Sequence, residues 1–142
     1  MRIAMHKDEA LARVREDLGR FPDLERVCEA IVEYVSTRPA RVLQRVTFGS
    51  LSKAAKLPDI KAVVPAVQYL SGSRLPLFEV AYMFIDGEEE FDVSDDELTE
   101  ARSTHVFYHP DLGEPVEDFE KSIYVYFRLT SEAVQLCASE GR

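Results

Sequence analysis

The sequence predicts a single α+β domain of 142 residues, on three observations. Between residues 23 and 70, apolar side chains recur at three- and four-residue intervals, as one buried helical face requires. Residues 75–85 are then almost continuously apolar, and residues 123–129 alternate in the manner of a half-buried strand. With 46% hydrophobic residues, a chain of this length can form a substantial core.

A leading helix is expected within residues 1–20, beginning at about Lys7 and ending at Gly19. Its apolar stripe is narrow, consisting of Leu11, Val14 and Leu18. A stripe of this width can dock on the rest of the domain or pair with a second copy of the chain. We expect docking, with a homodimer as the alternative.

The second helix is predicted from Asp23 to about Ser36 and has the clearest amphipathic pattern in the chain. The sequence Thr37-Arg38-Pro39 ends it, because the residue before a proline disfavours helical geometry. Residues 39–48 then form either a short strand or a loop.

Two shorter helices follow, the second of which ends at Gly72. Ser50 is the expected N-cap of the first, since its hydroxyl can accept hydrogen bonds from the free N–H groups of the first turn. Asp59 is the expected cap of the next. Because Pro65 lies inside that helix, we expect either a kink there or helical regularity only after about Ala62.

A long strand and a hairpin come next. Residues 75–85 are apolar on both faces, which predicts a strand that is covered on both sides. Asp86-Gly87 is typical of a tight turn, and residues 91–93 can return as the antiparallel partner. The tip of this hairpin is acidic and contains Glu88, Glu89 and Glu90.

The order helix, helix, helix, strand, turn, strand over residues 23–93 resembles the winged-helix (winged helix-turn-helix) superfamily. The resemblance rests on element order and implies a winged-helix core at residues 21–93, preceded by the leading helix. It would place Lys53 and Lys56 on the positioning helix of that core. The side chains it implies for nucleic-acid contact are Arg41, Arg45, Lys53, Lys56, Lys61 and Gln68.

The recognition helix of such a core would carry Lys61, Gln68 and Tyr69 on its exposed side. Lysine there would contact phosphates, and Gln68 could reach a base edge. A solvated helical face is the alternative interpretation of the same residues, since scattered lysines and arginines are common on protein surfaces.

Residues 94–142 are expected to form an acidic helix-hairpin-helix extension. Ser94 and Glu97 have the spacing of a capping box, which predicts a helix to about Ser103. At the other end of the extension, Ser131 is the expected cap of a last helix over residues 132–139.

Two strands are expected between those helices, at residues 105–107 and 122–129, with a turn at residues 109–113. The alternation in the second strand should bury its aliphatic residues and Phe127. The side chains that it should leave on the outer face, as candidates for partner binding, are Tyr124, Tyr126 and Arg128.

The formal net charge of −9 is unevenly distributed. Residues 1–74 hold 13 Lys and Arg against 9 Asp and Glu, whereas residues 75–142 hold 4 against 17. Phosphate neutralisation dominates nucleic-acid affinity, so an acidic hairpin tip counts against tight binding of DNA by a monomer. A basic partner is the natural counterpart of the acidic half.

The sequence contains no catalytic or metal-binding motif that we recognise. His105 and His109 lie in a strand-and-turn segment, not on one helical face, so we expect no zinc site, no other metal and no cofactor. Cys28 and Cys137 are expected to be reduced thiols. With no membrane-spanning apolar run and no leader, the expected location is cytoplasmic.

Two non-enzymatic functions are therefore expected, and the remaining alternative is an enzyme that uses its acidic residues on a divalent metal ion. The first is a nucleic-acid-associated winged-helix regulator or accessory subunit that turns its basic helices toward duplex DNA. The second is an interaction adaptor or inhibitor that binds a basic protein partner through the candidate residues Glu88, Glu89, Glu90, Tyr124, Tyr126 and Arg128, without binding DNA.

Overall fold

The computed structural model describes residues 6–137 and shows a mixed α+β fold, as predicted. Five α-helices and a three-stranded sheet are present in this range, with short 3-10 turns between them. The helices are α1 (Lys7–Leu18), α2 (Pro22–Ser36), α3 (Phe48–Ala54), α4 (Val64–Leu70) and α5 (Asp95–Thr104). The strands are β1 (Phe78–Asp86), β2 (Glu89–Val93) and β3 (Ile123–Leu129), in the sheet order β2-β1-β3.

The chain divides into two compact units. We call Val80–Tyr126 the acidic unit, and the described residues up to Glu79 and from Phe127 onward the helical unit. Each unit has a hydrophobic core of its own. The core of the helical unit is centred on α2 and α4 and includes Phe78 and Phe127, whereas that of the acidic unit is built around Phe84.

In the helical unit, α1 packs on α2, which confirms the predicted docking of the leading helix. The bounds of both helices agree closely with the sequence pattern. A polar cluster also joins α1 to the end of α4. Tyr69 donates its hydroxyl hydrogen to Asp17, and Arg74 donates to both oxygens of the same carboxylate, at 2.7 and 3.1 Å.

The first of the short helices begins earlier than predicted. Thr47, not Ser50, is the N-cap of α3, and its side chain accepts from the Ser50 backbone N–H. The Ser50 hydroxyl in turn accepts from the Thr47 backbone N–H, so the two residues form a reciprocal capping box. Our assignment of Ser50 as the N-cap was therefore wrong by one turn.

Pro65 determines where the next helix begins. Asp59 caps a 3-10 turn over Ile60–Val63 by accepting from the Lys61 N–H, and α4 begins only at Val64. Pro65 thus lies in the first turn of α4, where a missing N–H breaks no helical hydrogen bond. Because α4 begins only at Val64, it is short, with 7 residues.

The segment between Pro39 and Phe48 is mainly a 3-10 turn, Ala40–Leu43, followed by a single bridge from Val46 to Phe127. The strand β1 begins at Phe78, after Pro76, and not at Leu75. Val80 is exposed, so the prediction that both faces of this strand are covered was wrong.

The hairpin itself is confirmed. β1 and β2 are antiparallel, with Phe84 opposite Phe91 and Asp86 opposite Glu89. Gly87 has a φ of +62° at the turn, a conformation that favours glycine.

In the acidic unit, the Ser94–Glu97 capping box and the helix it begins are also confirmed. The strand predicted at residues 105–107 is absent. His105 has a left-handed φ of +64° and ends α5, and the chain then makes only a single bridge between Tyr108 and Pro115.

The last predicted helix is a 3-10 turn, Ala133–Leu136, as far as Cys137. Its N-cap position is Glu132 and not Ser131, and the Ala133 N–H donates to the side-chain oxygen of Thr130. The remainder of that predicted helix, residues 138 and 139, lies outside the described residues, as do residues 1–5 of the predicted leading segment.

Candidate functional site

The basic set, which we define as the six residues predicted to face nucleic acid, is exposed throughout. Its members are distributed over the segment before α3, α3 itself, the following turn and α4; they are Arg41, Arg45, Lys53, Lys56, Lys61 and Gln68. α3 contacts the 3-10 turn that contains Lys61. Lys53 on α3 and Lys61 on this turn are therefore on neighbouring elements. Lys56 lies beyond the end of α3 and Lys61 before the start of α4, so the predicted positions of these two lysines on the helices were wrong.

The lysines and the arginines of the basic set differ in their surroundings. Within residues 6–137, no acidic side chain forms an ion pair with Lys53, Lys56 or Lys61. Arg41 and Arg45, in contrast, each take part in an interaction within the protein. The three lysines are thus the more accessible cations for an external anion.

Tyr69 was expected on the exposed side of α4, and this was wrong. Its side chain is half-buried and its hydroxyl is bonded to Asp17. Burial, followed by the bond to Asp17, raises the pKa of the Tyr69 phenol. The hydrogen bonds from Arg74 and then Tyr69 hold the pKa of the Asp17 carboxyl below its usual value. Tyr69 is therefore part of a structural cluster, and Gln68 is the exposed polar side chain of α4.

We define the acidic hairpin as Glu88, Glu89 and Glu90. All three side chains are exposed at the turn and on β2. Glu90 takes part in an interaction within the protein, whereas the side chains of Glu88 and Glu89 have no hydrogen-bond or ion-pair partner among the described residues. The hairpin thus presents at least two carboxylates to solvent.

For the outer face of β3, the sequence left two interpretations open: a partner-binding surface, or a face covered by the leading or terminal helix. The three residues predicted there do not share one environment. Tyr124 is 47% exposed and Arg128 is also exposed, as expected. Tyr126 is only 2% exposed, and its hydroxyl donates to Asp92 at 2.8 Å. The assignment of Tyr126 to a partner-binding face was therefore wrong, and the exposed Val125 was expected to be buried.

The largest electrostatic feature is the separation of charge between the units. The acidic unit, residues 80–126, holds 14 Asp and Glu against 2 Lys and Arg, a formal balance of −12. The rest of the chain holds 12 against 15, a balance of +3. Arg102, one of the two cations of the acidic unit, is already bound to both oxygens of Glu120. The acidic unit therefore has little internal neutralisation.

The surroundings of His105, His109 and the two cysteines are typical of structural residues. Among the described residues, no group of three His, Cys, Asp or Glu side chains is arranged to hold a metal ion. His109 is buried and His105 is exposed at the end of α5. Both thiols are free, and burial raises the pKa of Cys28 to about 12 and shifts the pKa of Cys137 in the same direction. A raised pKa keeps a thiol protonated and unreactive.

Sequence reasoning missed a surface cleft in the helical unit. The cleft has a volume of about 700 Å³ and lies beside the start of α2; its apolar lining includes Phe21, Pro22, Leu24, Val27, Leu57, Ala62 and Pro65. Arg20, Arg26 and Asp23 contribute its charged groups. The one local signal was the Phe21-Pro22 pair, since an aromatic residue directly before a helix often packs back on it. Here Phe21 is 58% exposed instead.

Comparison of the chain with protein-family models, curated proteins and solved structures finds no match. Among the described residues, no helix combines the length and the apolar character needed to cross a bilayer.

Proposed function

We propose that this chain is a non-enzymatic interaction adaptor that binds a basic protein partner through its acidic unit. The observation that supports the proposal is that the negative charge coincides with a structural unit. Residues 80–126 combine a formal charge of −12 with a separate hydrophobic core. Such a unit presents its charge on a defined surface instead of on a solvated tail.

The physical role of this charge is to attract and orient a partner. Complementary potentials raise association rates and suppress wrong partners, more than they raise affinity in themselves. Glu88 and Glu89 at the hairpin turn are the carboxylates best placed for first contact, because they are exposed and have no partner among residues 6–137. Tyr124, which is exposed on β3, can add contact area at the same unit.

A charge-reversal experiment tests this proposal. An oligolysine peptide is the probe, and its association rate with the protein is measured by stopped-flow fluorescence at low and physiological salt. The double variant Glu88→Lys/Glu89→Lys should slow association about tenfold or more.

The matched control is Glu100→Lys/Glu117→Lys, which makes the same charge change at exposed positions elsewhere in the acidic unit. It should retain most of the wild-type rate. Equal losses in the two variants would show that net charge alone attracts the probe and would reject the hairpin as the binding surface.

A second candidate function is nucleic-acid association through a winged-helix arrangement of α2, α3, α4, β1 and β2. The observation that favours it is that Lys53, Lys56 and Lys61 are exposed and form no ion pair within the described residues, and that α3, which carries Lys53, contacts the 3-10 turn that carries Lys61. Phosphate contacts by these lysines would position the helices on a duplex, with Gln68 near the bases.

Fluorescence anisotropy with a random-sequence duplex distinguishes this function from the adaptor. Each of Lys53→Ala and Lys56→Ala should reduce the slope of log K against log salt concentration by about 1, since each removes one phosphate contact. Lys121→Ala, an exposed lysine of the acidic unit, should leave the slope unchanged. Absence of binding at low salt would eliminate the nucleic-acid function and leave the adaptor proposal standing.

A further inference from the structure

A rigid turn in the acidic unit presents an exposed leucine. We define the leucine turn as residues 109–114, His109-Pro110-Asp111-Leu112-Gly113-Glu114. Leu112 is 63% exposed, more than any other large apolar side chain in the described part of the chain. Acidic residues flank it, and neither Asp111 nor Glu114 has a side-chain partner among residues 6–137.

Hydrogen bonds to His109 fix the shape of this turn. The backbone N–H groups of Asp111 and Leu112 both donate to His109 Nδ1 at 3.1 Å. The Gly113 N–H donates to the His109 carbonyl at 2.9 Å, and the His109 N–H donates to the Glu114 carbonyl at 2.8 Å. Gly113 has a φ of +72°, which the turn requires. Leu112 is therefore held outward by a preorganised backbone, which lowers the entropy lost on docking.

The cleft of the helical unit has the complementary chemistry. Its walls are mainly apolar, with two cations, Arg20 and Arg26, against one carboxylate, Asp23, and its volume of about 700 Å³ is ample for several side chains. Arg20 and Arg26 are exposed at the cleft and have no ion-pair partner within the described residues. An apolar side chain flanked by carboxylates would satisfy both the apolar walls and the two guanidinium groups.

We propose that the occupant of this cleft is the leucine turn of a second copy of the chain. Leu112 enters the apolar cleft, while Asp111 and Glu114 lie near Arg20 and Arg26 of the other copy. The charge balance of the two units favours this pairing, since the turn belongs to the acidic unit, with a formal charge of −12, and the cleft to the helical unit, whose described residues carry a balance of +2. A contact between two different surfaces is head-to-tail, so it can continue from copy to copy.

The inference shares the charge of the acidic unit with the proposed adaptor function, but it uses no residue of the acidic hairpin, so the two proposals can fail separately. It is tested by sedimentation velocity from about 1 µM to about 1 mM, a range that covers weak and moderate association. The mean mass of the wild type should rise with concentration. Leu112→Ser and Phe21→Ser should each weaken self-association about tenfold or more, as expected for removing one apolar anchor.

Both variants are expected to fold, so a loss of self-association in either would reflect the missing contact. Leu112 and Phe21 are mainly exposed, and Phe21 occupies the N-cap position of α2, where serine is a preferred residue. The control is Val42→Ser, which removes a side chain that is 51% exposed at another position of the helical unit. It should associate like the wild type.

Mixing the two variants gives the decisive measurement. The Leu112→Ser copy retains an intact cleft and the Phe21→Ser copy an intact turn, so an equimolar mixture should form dimers that grow no further. A wild type that stays monomeric up to about 1 mM would overturn the proposal. So would a mixture that stays monomeric, or a variant that associates as the wild type does.

Discussion

At the scale of single residues, His109 shows how one buried side chain organises a loop. Two backbone N–H groups donate to Nδ1, so this nitrogen acts as an acceptor and the ring proton lies on Nε2. Nε2 then donates to Asp86 Oδ2 at 2.9 Å. The ring also packs edge-on against Phe84 and Phe91, with centroids 5.4 and 5.3 Å apart. His109 therefore joins the turn to the hairpin.

His109→Ala should lower the free energy of unfolding by about 2–4 kcal/mol, because it leaves a cavity and two unsatisfied backbone donors. His109→Asn should lower the free energy of unfolding less than His109→Ala does. The side-chain oxygen of the asparagine can take the place of Nδ1 as the acceptor for the turn. Urea unfolding of both variants measures the difference. Equal losses would mean that packing of the ring, and not the acceptor, holds the turn.

The sequence predicted a turn at residues 109–113 but not the role of the histidine. The His-Pro-Asp-Leu-Gly composition is typical of a turn. The partners of the ring lie on β1 (Phe84 and Asp86) and β2 (Phe91) and are brought to it only by the tertiary fold. Tyr126 was misassigned for the same reason, because alternation along β3 cannot show that Asp92 accepts its hydroxyl.

At the scale of elements, the polar cluster of Asp17, Tyr69 and Arg74 joins α1 to α4. The pKa of Asp17 is lowered by its hydrogen bonds from Arg74 and Tyr69. A carboxyl whose folded pKa is depressed contributes stability above its unfolded pKa, near 4, and this contribution is lost as the pH falls through the folded value. The link between α1 and α4 should therefore weaken in acid.

Asp17→Asn should be less stable than the wild type at neutral pH, and the difference should shrink as the pH falls below about 4. Urea unfolding across this pH range measures both. Glu16→Asn is the control, because the exposed Glu16 carboxylate is 3.8 Å from Arg74 and makes no hydrogen bond to it among the described residues. A stability difference for Asp17→Asn that did not change with pH would contradict an ionic contribution from the cluster.

The elements that were predicted well are those whose own sequence carries a clear pattern. The helices α2 and α5 have a clear apolar period or a capping box, and both were found close to the predicted bounds. The start of α3 was misplaced because Thr47 and Ser50 both have capping side chains, and the pattern alone does not rank them. The cleft was not predictable, since Phe21, Leu57 and Pro65 come from three separate segments.

At the scale of the whole molecule, the separation of charge has a consequence for stability. The acidic unit holds a formal charge of −12 on 47 residues, from Val80 to Tyr126. Like charges at this density repel one another and destabilise a compact state. Salt shortens the Debye length from about 30 Å at 0.01 M to about 3 Å at 1 M, which screens the repulsion between exposed carboxylates. The helical unit, whose described residues hold 13 Lys and Arg against 11 Asp and Glu, has much less repulsion to screen.

Raising the salt concentration from about 0.01 M to about 1 M should therefore protect the backbone amides of Val80–Tyr126 from hydrogen exchange more than those of α2 and α4. Mass spectrometry of peptides from the two units measures this difference. At low salt, Glu100→Gln/Glu117→Gln should produce part of the same gain in the acidic unit, because it removes two of the repelling charges. If salt protected the amides of both units equally, the repulsion that salt screens would not be confined to the acidic unit. That result would contradict the prediction.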